Sequence, residues 1–131
     1  MRVGASRILV QSLLLCVIFL LSISSVWAGD FVPLETPLGV TASTSSSSTT
    51  FTLPSAIDAP LVKVCNNGTQ IVYWACGNSS VQACVPGNGC ASTQMGAGLC
   101  GAYYKGVGAT ACAAITATGS SPVTFTAGSR Q

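Results

Sequence analysis

The chain has 131 residues, of which 49% are hydrophobic and only 6% charged, and it contains no histidine. Without histidine it lacks the side chain that most often acts as a general base near neutral pH, which argues against an enzyme. The formal net charge is +2, and it falls to zero if Arg2 and Arg7 are removed with a leader. No basic patch then remains, which excludes nucleic-acid binding through phosphate contacts.

Residues 1–28 have the features of a secretory signal peptide. Two arginines precede an apolar run from Leu13 to Leu21, and Val26 and Ala28 occupy the −3 and −1 positions of a cleavage site. An uncleaved membrane anchor is the alternative, but the apolar run is much shorter than the roughly 20 residues that span a bilayer. We therefore expect a secreted or cell-surface protein, passing through the periplasm if bacterial, with no stable membrane insertion after cleavage.

Residues 29–53 are predicted to form an extended, Ser/Thr-rich N-terminal arm. Pro33 and Pro37 disfavour a helix, and residues 41–52 are almost wholly serine and threonine. Such a tract is typical of a flexible linker or of an O-glycosylated segment. Threonine also favours extended structure, so we expect a strand from about Val40 to Leu53 and a mobile start over residues 29–38.

The next segment has the strongest local signal in the chain. Leu61–Cys65 and Gln70–Cys76 are both strand-like, and Asn66–Thr69 between them contains Asn-Gly. This dipeptide favours a tight hairpin because both residues tolerate positive φ, so the two runs are predicted to pair. The second run is apolar on both faces, which predicts a position in the middle of a sandwich.

The rest of the chain alternates turns with short strands. Within the turn-rich residues 77–108 the one good strand candidate is Ala102–Lys105, and Ala111–Ala117 and Pro122–Thr126 flank a final turn. No convincing helical apolar period occurs outside the leader. Short strands at this spacing predict one all-β domain over residues 54–131, a small antiparallel β-sandwich.

Seven cysteines are present, and one of them, Cys16, lies in the leader. An even number in an exported chain predicts three disulfides that staple the small sandwich. Metal binding is the alternative, but zinc sites usually use close cysteine pairs and histidine, so we expect no metal and no cofactor. Only the local pair Cys84–Cys90 is suggested by the sequence. The six predicted disulfide cysteines are Cys65, Cys76, Cys84, Cys90, Cys100 and Cys112.

No residues carry a recognisable catalytic pattern, so we expect no catalytic site. Tyr103 and Tyr104 are the candidate binding aromatics, and a glycan is the ligand such a pair would suit. In Tyr73-Trp74, by contrast, strand alternation predicts that one ring is buried. Asn67 and Asn78 begin N-glycosylation sequons, and either glycosylation or a plain turn accounts for them.

Two stretches carry a family resemblance. Val62–Val72, with Gly77, fits the pattern V-x-V-x-N-x-G-T-x-x-V-x-x-x-x-G. Thr110–Gly119 with Val123–Gly128 fits A-x-x-A-A-I-T-A-x-G-x-x-x-V-x-x-T-x-G except at the first position, where Thr110 stands in place of alanine. The chain thereby resembles small β-sandwich structural proteins of tailed phages and prophages over about half of the part that follows the leader. The resemblance implies a sandwich fold, a role in decoration or fibres, and no catalytic residues. The leader and the six cysteines depart from that family.

Together these features predict a non-enzymatic, secreted structural subunit of an extracellular filament, sheath or adhesive layer. We expect it to self-associate by edge-strand addition, with the N-terminal arm pairing to a sheet edge of the next subunit. The alternatives are a secreted module that binds a glycan or a protein, and a phage virion protein that is exported.

Overall fold

The computed structural model describes residues 30–87 and 89–131. The signal peptide predicted for residues 1–28 lies outside the described residues, as does Gly29 at the start of the predicted arm. Within the described ranges, no helix combines the length and the apolar character that crossing a membrane requires.

These ranges form nine β-strands and one short helix, which begins with a proline at its first turn. In chain order the elements are β1 (Phe31–Pro33), β2 (Leu38–Ala42), β3 (Ser47–Thr50), α1 (Pro54–Asp58), β4 (Leu61–Asn66), β5 (Val72–Gly77), β6 (Thr93–Met95), β7 (Cys100–Tyr104), β8 (Ala111–Thr116) and β9 (Ser121–Arg130).

The strands form two antiparallel sheets that pack face to face. Sheet A has the order β1-β9-β4-β7, and β2 pairs with β9 along the same side as β1. Sheet B has the order β3-β8-β5-β6, so β5 is a central strand, as its apolar sequence predicts. The predicted fold class, a small antiparallel β-sandwich with disulfides, is confirmed.

The core lies between the sheets and is built from alternate residues of their strands. Val62 and Val64 of β4 are fully buried, whereas Lys63 between them is exposed. From sheet B, Trp74 is 4% exposed, and its ring centroid lies 6.3 Å from that of Phe125 in sheet A. Burying each such valine or phenylalanine side chain contributes about 1.5–3 kcal/mol, so this alternation supplies most of the folding energy.

The segment predicted as an arm contributes three strands to the sandwich. β1 and β2 pair with β9 in sheet A, and β3 pairs with β8 in sheet B. The single strand expected from Val40 to Leu53 is therefore wrong, because the chain crosses between the sheets at residues 43–46. There the Ser43 carbonyl accepts the N–H of Thr116 at 2.8 Å. The start that we expected to be mobile includes β1, which is hydrogen-bonded to the end of β9.

The hairpin predicted from Leu61–Cys65 and Gln70–Cys76 is wrong, although both runs contain strands. β4 belongs to sheet A and β5 to sheet B, so the connection between them crosses the sandwich. Neither Asn67 nor Gly68 adopts the positive φ that a tight hairpin uses. Glycine is required at position 68 for another reason, since a Cβ there would collide with the side chain of Ser121.

Asn66 accounts for the crossing. Its side chain is 1% exposed, and its Nδ2 donates to the carbonyl oxygens of Gln70 at 2.7 Å and Gly96 at 3.0 Å. Its Oδ1 accepts from Ser121 Oγ at 2.7 Å and from the Gly68 N–H at 3.2 Å. Buried amides must satisfy both ends, and here the partners lie in the β4–β5 connection, the β6–β7 connection and β9. One side chain thus joins the ends of both sheets.

All six predicted cysteines are paired, and the local pair Cys84–Cys90 is one of the three bonds. Cys65–Cys100 joins β4 to β7, and Cys76–Cys112 joins β5 to β8, each between directly opposed residues. The second of these bonds faces the core, while Cys84–Cys90 lies in the loop between β5 and β6. Cys65–Cys100 lies within sheet A, Cys76–Cys112 lies within sheet B, and Cys84–Cys90 lies within one loop. Across the described chain, no disulfide joins sheet A to sheet B.

Candidate functional site

Strand β7 forms an open edge of sheet A. Within the described residues it pairs with β4 alone. The other edges are shorter or interrupted: β6 has three residues and β3 has four, and Pro33 and Pro37 break the edge made by β1 and β2. Strands β7 and β2 both have five residues, but β2 follows directly after Pro37, so among the described residues β7 is the five-residue edge with no proline next to it.

The hydrogen bonds that flank β7 fix which of its backbone groups face outward. The Asn66 N–H donates to the Leu99 carbonyl at 2.9 Å, and the Lys105 N–H donates to the Pro60 carbonyl at 2.8 Å. Bonded and non-bonded pairs alternate along an antiparallel ladder. The N–H and C=O groups that point away from β4 are therefore those of three exposed residues, Cys100, Ala102 and Tyr104.

Apolar side chains surround this edge. Tyr104 is 72% exposed, Val107 is 67% exposed and Leu99 is 57% exposed. These are the three most exposed of the large hydrophobic side chains in the described chain, and all lie within β7 or the residues beside it. Single exposed hydrophobic residues need no explanation, but a group of them beside an open edge marks a surface suited to contact with another chain.

The lysine that follows β7 adds no charge to this edge because it turns into the protein, although the exposed Lys63 of β4 lies opposite Ala102. Lys105 is 7% exposed, and its Nζ donates to the carbonyls of Ile57 at 2.9 Å and Ala109 at 3.2 Å. The ammonium also lies 5.1 Å from the centre of the Phe51 ring. Burial lowers the pKa of Lys105, and the charge of Asp58 opposes that shift. Lys105 thus anchors the β7–β8 loop to α1.

The two candidate binding tyrosines lie on opposite faces of β7. Tyr103 points inward, where its ring centroid lies 5.0 Å from that of Trp74 and its hydroxyl is 4.0 Å from Met95 Sδ. Tyr104 points outward and is exposed. The rings therefore do not form one aromatic platform, and only Tyr104 is available to a ligand. The same alternation buries Trp74 and leaves Tyr73 partly exposed, as predicted for that pair.

A cavity of about 320 Å³ lies on sheet A, and no residue of β7 lines it. Its lining residues come from the β1–β2 segment and from two neighbouring strands; they are Phe31, Pro33, Glu35, Pro37, Lys63 and Thr126. Sequence reasoning missed this site, because it treated Glu35 as part of a mobile arm and Lys63 only as a charge. The signal that it could have used is the glutamate between two prolines, an acidic residue in a segment that resists helix and turns sharply.

Glu35 is held in place by the chain that follows β3. Both the backbone N–H and the hydroxyl of Thr52 donate to its Oε1, at 3.0 and 2.6 Å. Glu35 is 9% exposed, and its second oxygen, Oε2, is buried without a hydrogen-bond partner among the described residues. Buried carboxylate oxygens are normally paired, so this atom marks Glu35 as unusual.

The six disulfide cysteines hold no metal, since each is bonded to another cysteine, and the described residues contain no cluster of three or more metal-ligating side chains. The sequon residues Asn67 and Asn78 are both exposed.

Comparison of the chain with protein-family models, with curated protein sequences and with solved structures finds no match. The resemblance to tailed-phage structural proteins therefore stays a prediction.

Proposed function

We propose that this chain is a secreted, non-enzymatic structural subunit that assembles with other copies of itself by edge-strand addition at β7. The observation that carries the proposal is the open edge of β7, whose outward backbone groups have no partner among the described residues and whose own five residues include no charged side chain. Natural proteins usually protect such edges with lysine, proline or a covering segment. The leader-like sequence and the three disulfides support an extracellular or cell-surface location.

The partner in this proposal is the β7 strand of a second copy. Ala102 is the middle one of the three outward-facing residues, so two β7 strands related by a two-fold axis pair with Ala102 opposite Ala102 and Cys100 opposite Tyr104. Each backbone hydrogen bond contributes about 0.5–1.5 kcal/mol net, whereas association costs about 4–15 kcal/mol. The ladder alone therefore gives weak association, and burial of Leu99 and Tyr104 is needed to strengthen it.

In this proposal the strand that is added is β7 and not the N-terminal arm expected from the sequence. Its strands pair with β9 and β8 of the same chain, so they complete the sandwich and leave β7 as the edge for addition. A two-fold contact between β7 strands closes on itself. Growth into a filament, sheath or layer then requires a second contact elsewhere on the surface.

The test is a pair of substitutions at Ala102 in the oxidised chain of residues 29–131. Ala102→Pro removes the outward N–H and leaves the bonds to β4 intact, because the Ala102 N–H points away from β4. Ala102→Thr is the matched control, since it changes the exposed side chain but keeps the N–H. Light scattering coupled to size-exclusion chromatography over a concentration series measures the mass of each form.

We expect concentration-dependent association of the wild type and of Ala102→Thr, and a monomer for Ala102→Pro. Emission from the buried Trp74 verifies that all three forms have the same fold. A wild type that stays monomeric at every concentration contradicts the proposal. So does association of a natively folded Ala102→Pro equal to that of the wild type.

A further inference from the structure

The cavity on sheet A has an acidic, a hydroxyl and a basic side chain on three neighbouring chain segments. Lys63 of β4 lies directly opposite Thr126 of β9, and the N–H of Leu34 donates to the Ala127 carbonyl at 2.9 Å. These contacts place Glu35 beside Thr126, on the side away from Lys63. The acidic and basic residues thus flank the threonine, with their backbones roughly 9–10 Å apart, which is two strand spacings.

The walls of the cavity are mainly apolar. Phe31 and the two prolines supply a ring and two compact aliphatic surfaces, and the methylene stem of Lys63 adds to them. Lys63 is exposed, so its ammonium reaches water while its stem lines the wall. The volume of about 320 Å³ lies at the lower end of the range for small-molecule sites, roughly 300–1,000 Å³. Such a space suits a short aliphatic chain.

The carboxylate supplies the charge at this apolar site. Glu35 lines the cavity, one of its oxygens accepts from Thr52, and the other is shielded from solvent and has no hydrogen-bond partner among the described residues. A buried carboxylate oxygen gains more from a cation than from a neutral donor. We propose that the cavity binds an aliphatic ammonium group, with Glu35 as its anionic partner and Phe31, Pro33 and Pro37 around its stem. The positive charge of Lys63 on the same cavity opposes the binding of a cationic ligand.

Amide chemical-shift titration of the oxidised chain with n-butylamine tests the proposal, and butan-1-ol serves as the uncharged probe of similar size. Glu35→Gln keeps an oxygen for the two bonds from Thr52 but removes the charge. Lys63→Met keeps the stem but removes the positive charge that opposes a cationic ligand. We expect saturable shifts at the lining residues with butylammonium, an affinity at least about tenfold lower in Glu35→Gln, and a higher affinity in Lys63→Met.

Three results would overturn the proposal: equal binding of butan-1-ol and butylamine, unchanged amine affinity in Glu35→Gln, or no saturation in Lys63→Met in the millimolar range.

An ammonium group reaches the cavity either on a free amine or on the lysine side chain of another protein. Nα-acetyl-lysine N-methylamide separates these sources, because it binds like butylamine only if the cavity also admits a peptide backbone at its mouth. The Ala102→Pro monomer should bind butylamine as the wild type does, so failure of assembly and failure of ligand binding are distinguishable.

Discussion

Replacing Asn66 by alanine should cost this protein a large part of its stability. The side chain is 1% exposed and makes four hydrogen bonds of 2.7–3.2 Å. Its loss leaves the hydroxyl of Ser121, which is 0% exposed, and the Gly96 carbonyl without their partner. At about 1–3 kcal/mol for each buried polar group left unpaired, we expect a loss of about 3–5 kcal/mol. Domains of this kind are stable by about 5–15 kcal/mol in total.

Urea unfolding of the oxidised chain, followed through tryptophan emission, measures this loss. Trp74 is buried in the core and is the only tryptophan after Trp27, which lies in the predicted leader, so the signal from residues 29–131 reports one environment. The matched control is Asn67→Ala. Asn67 is exposed, and its side chain makes a 3.4 Å contact with Thr124 Oγ1, while the backbone bond from its N–H to Pro122 is kept in the variant, so we expect a change within about 0.5 kcal/mol.

The pair of variants also distinguishes a crossing between sheets from a hairpin. In an Asn-Gly hairpin, Asn67 would occupy the turn at positive φ and Asn66 would be replaceable. A cost below about 1 kcal/mol for Asn66→Ala, or an equal cost for both variants, would refute the reasoning. Coupling gives a further check: Ser121→Ala should cost less on the Asn66→Ala background than alone, because its partner is already absent.

Three further predictions concern β7, its loop and the disulfides. Gly101→Ala should lose about 1–3 kcal/mol in urea unfolding, because the new methyl group would lie 2.7–2.8 Å from the inward ring of Tyr103. The pKa of Lys105 is lower in the folded than in the unfolded chain, so at high pH the unfolded chain holds the additional proton. The free energy of unfolding should therefore rise as the pH approaches the ordinary lysine pKa. This rise should be absent in Lys105→Met, and a rise of equal size there would contradict the assignment. Mild reduction followed by alkylation and mass mapping should label Cys65–Cys100 and Cys84–Cys90 earlier than Cys76–Cys112. Each of the first two bonds has an exposed cysteine, whereas Cys112 is 0% exposed. Early labelling of Cys112 would contradict this order.

Strand positions could be predicted from the sequence because alternation is a local property. Val62 and Val64 separated by Lys63 specify one buried and one exposed face, whatever the strand pairs with. The even number of cysteines likewise predicted the disulfides. Which strand pairs with which could not be predicted in the same way. Asn-Gly has a strong local preference, but the buried contacts of Asn66 with Gly96 and Ser121 join residues far apart in the sequence and override it.

The candidate sites depend on tertiary contacts in the same way. Glu35 acquires its unusual environment from Thr52, 17 residues away, and from Lys63 and Thr126 across the sheet. The open edge of β7 depends on the direction of Lys105, which the fold turns inward. The orientations of Tyr103 and Tyr104 were only partly predictable. Strand alternation predicts that the two rings face opposite ways, but it does not say which ring contacts Trp74.

The distribution of the disulfides bears on how β7 could accept a partner. Across the described chain no disulfide joins the two sheets, so the sheets are held together by the core and by contacts such as those of Asn66. Cys65–Cys100 instead fastens β7 to β4. An edge strand with one neighbour can be displaced by an incoming strand that competes for that neighbour. A covalent bond to β4 prevents such displacement, so a second copy can add to the free side of β7 without unravelling sheet A.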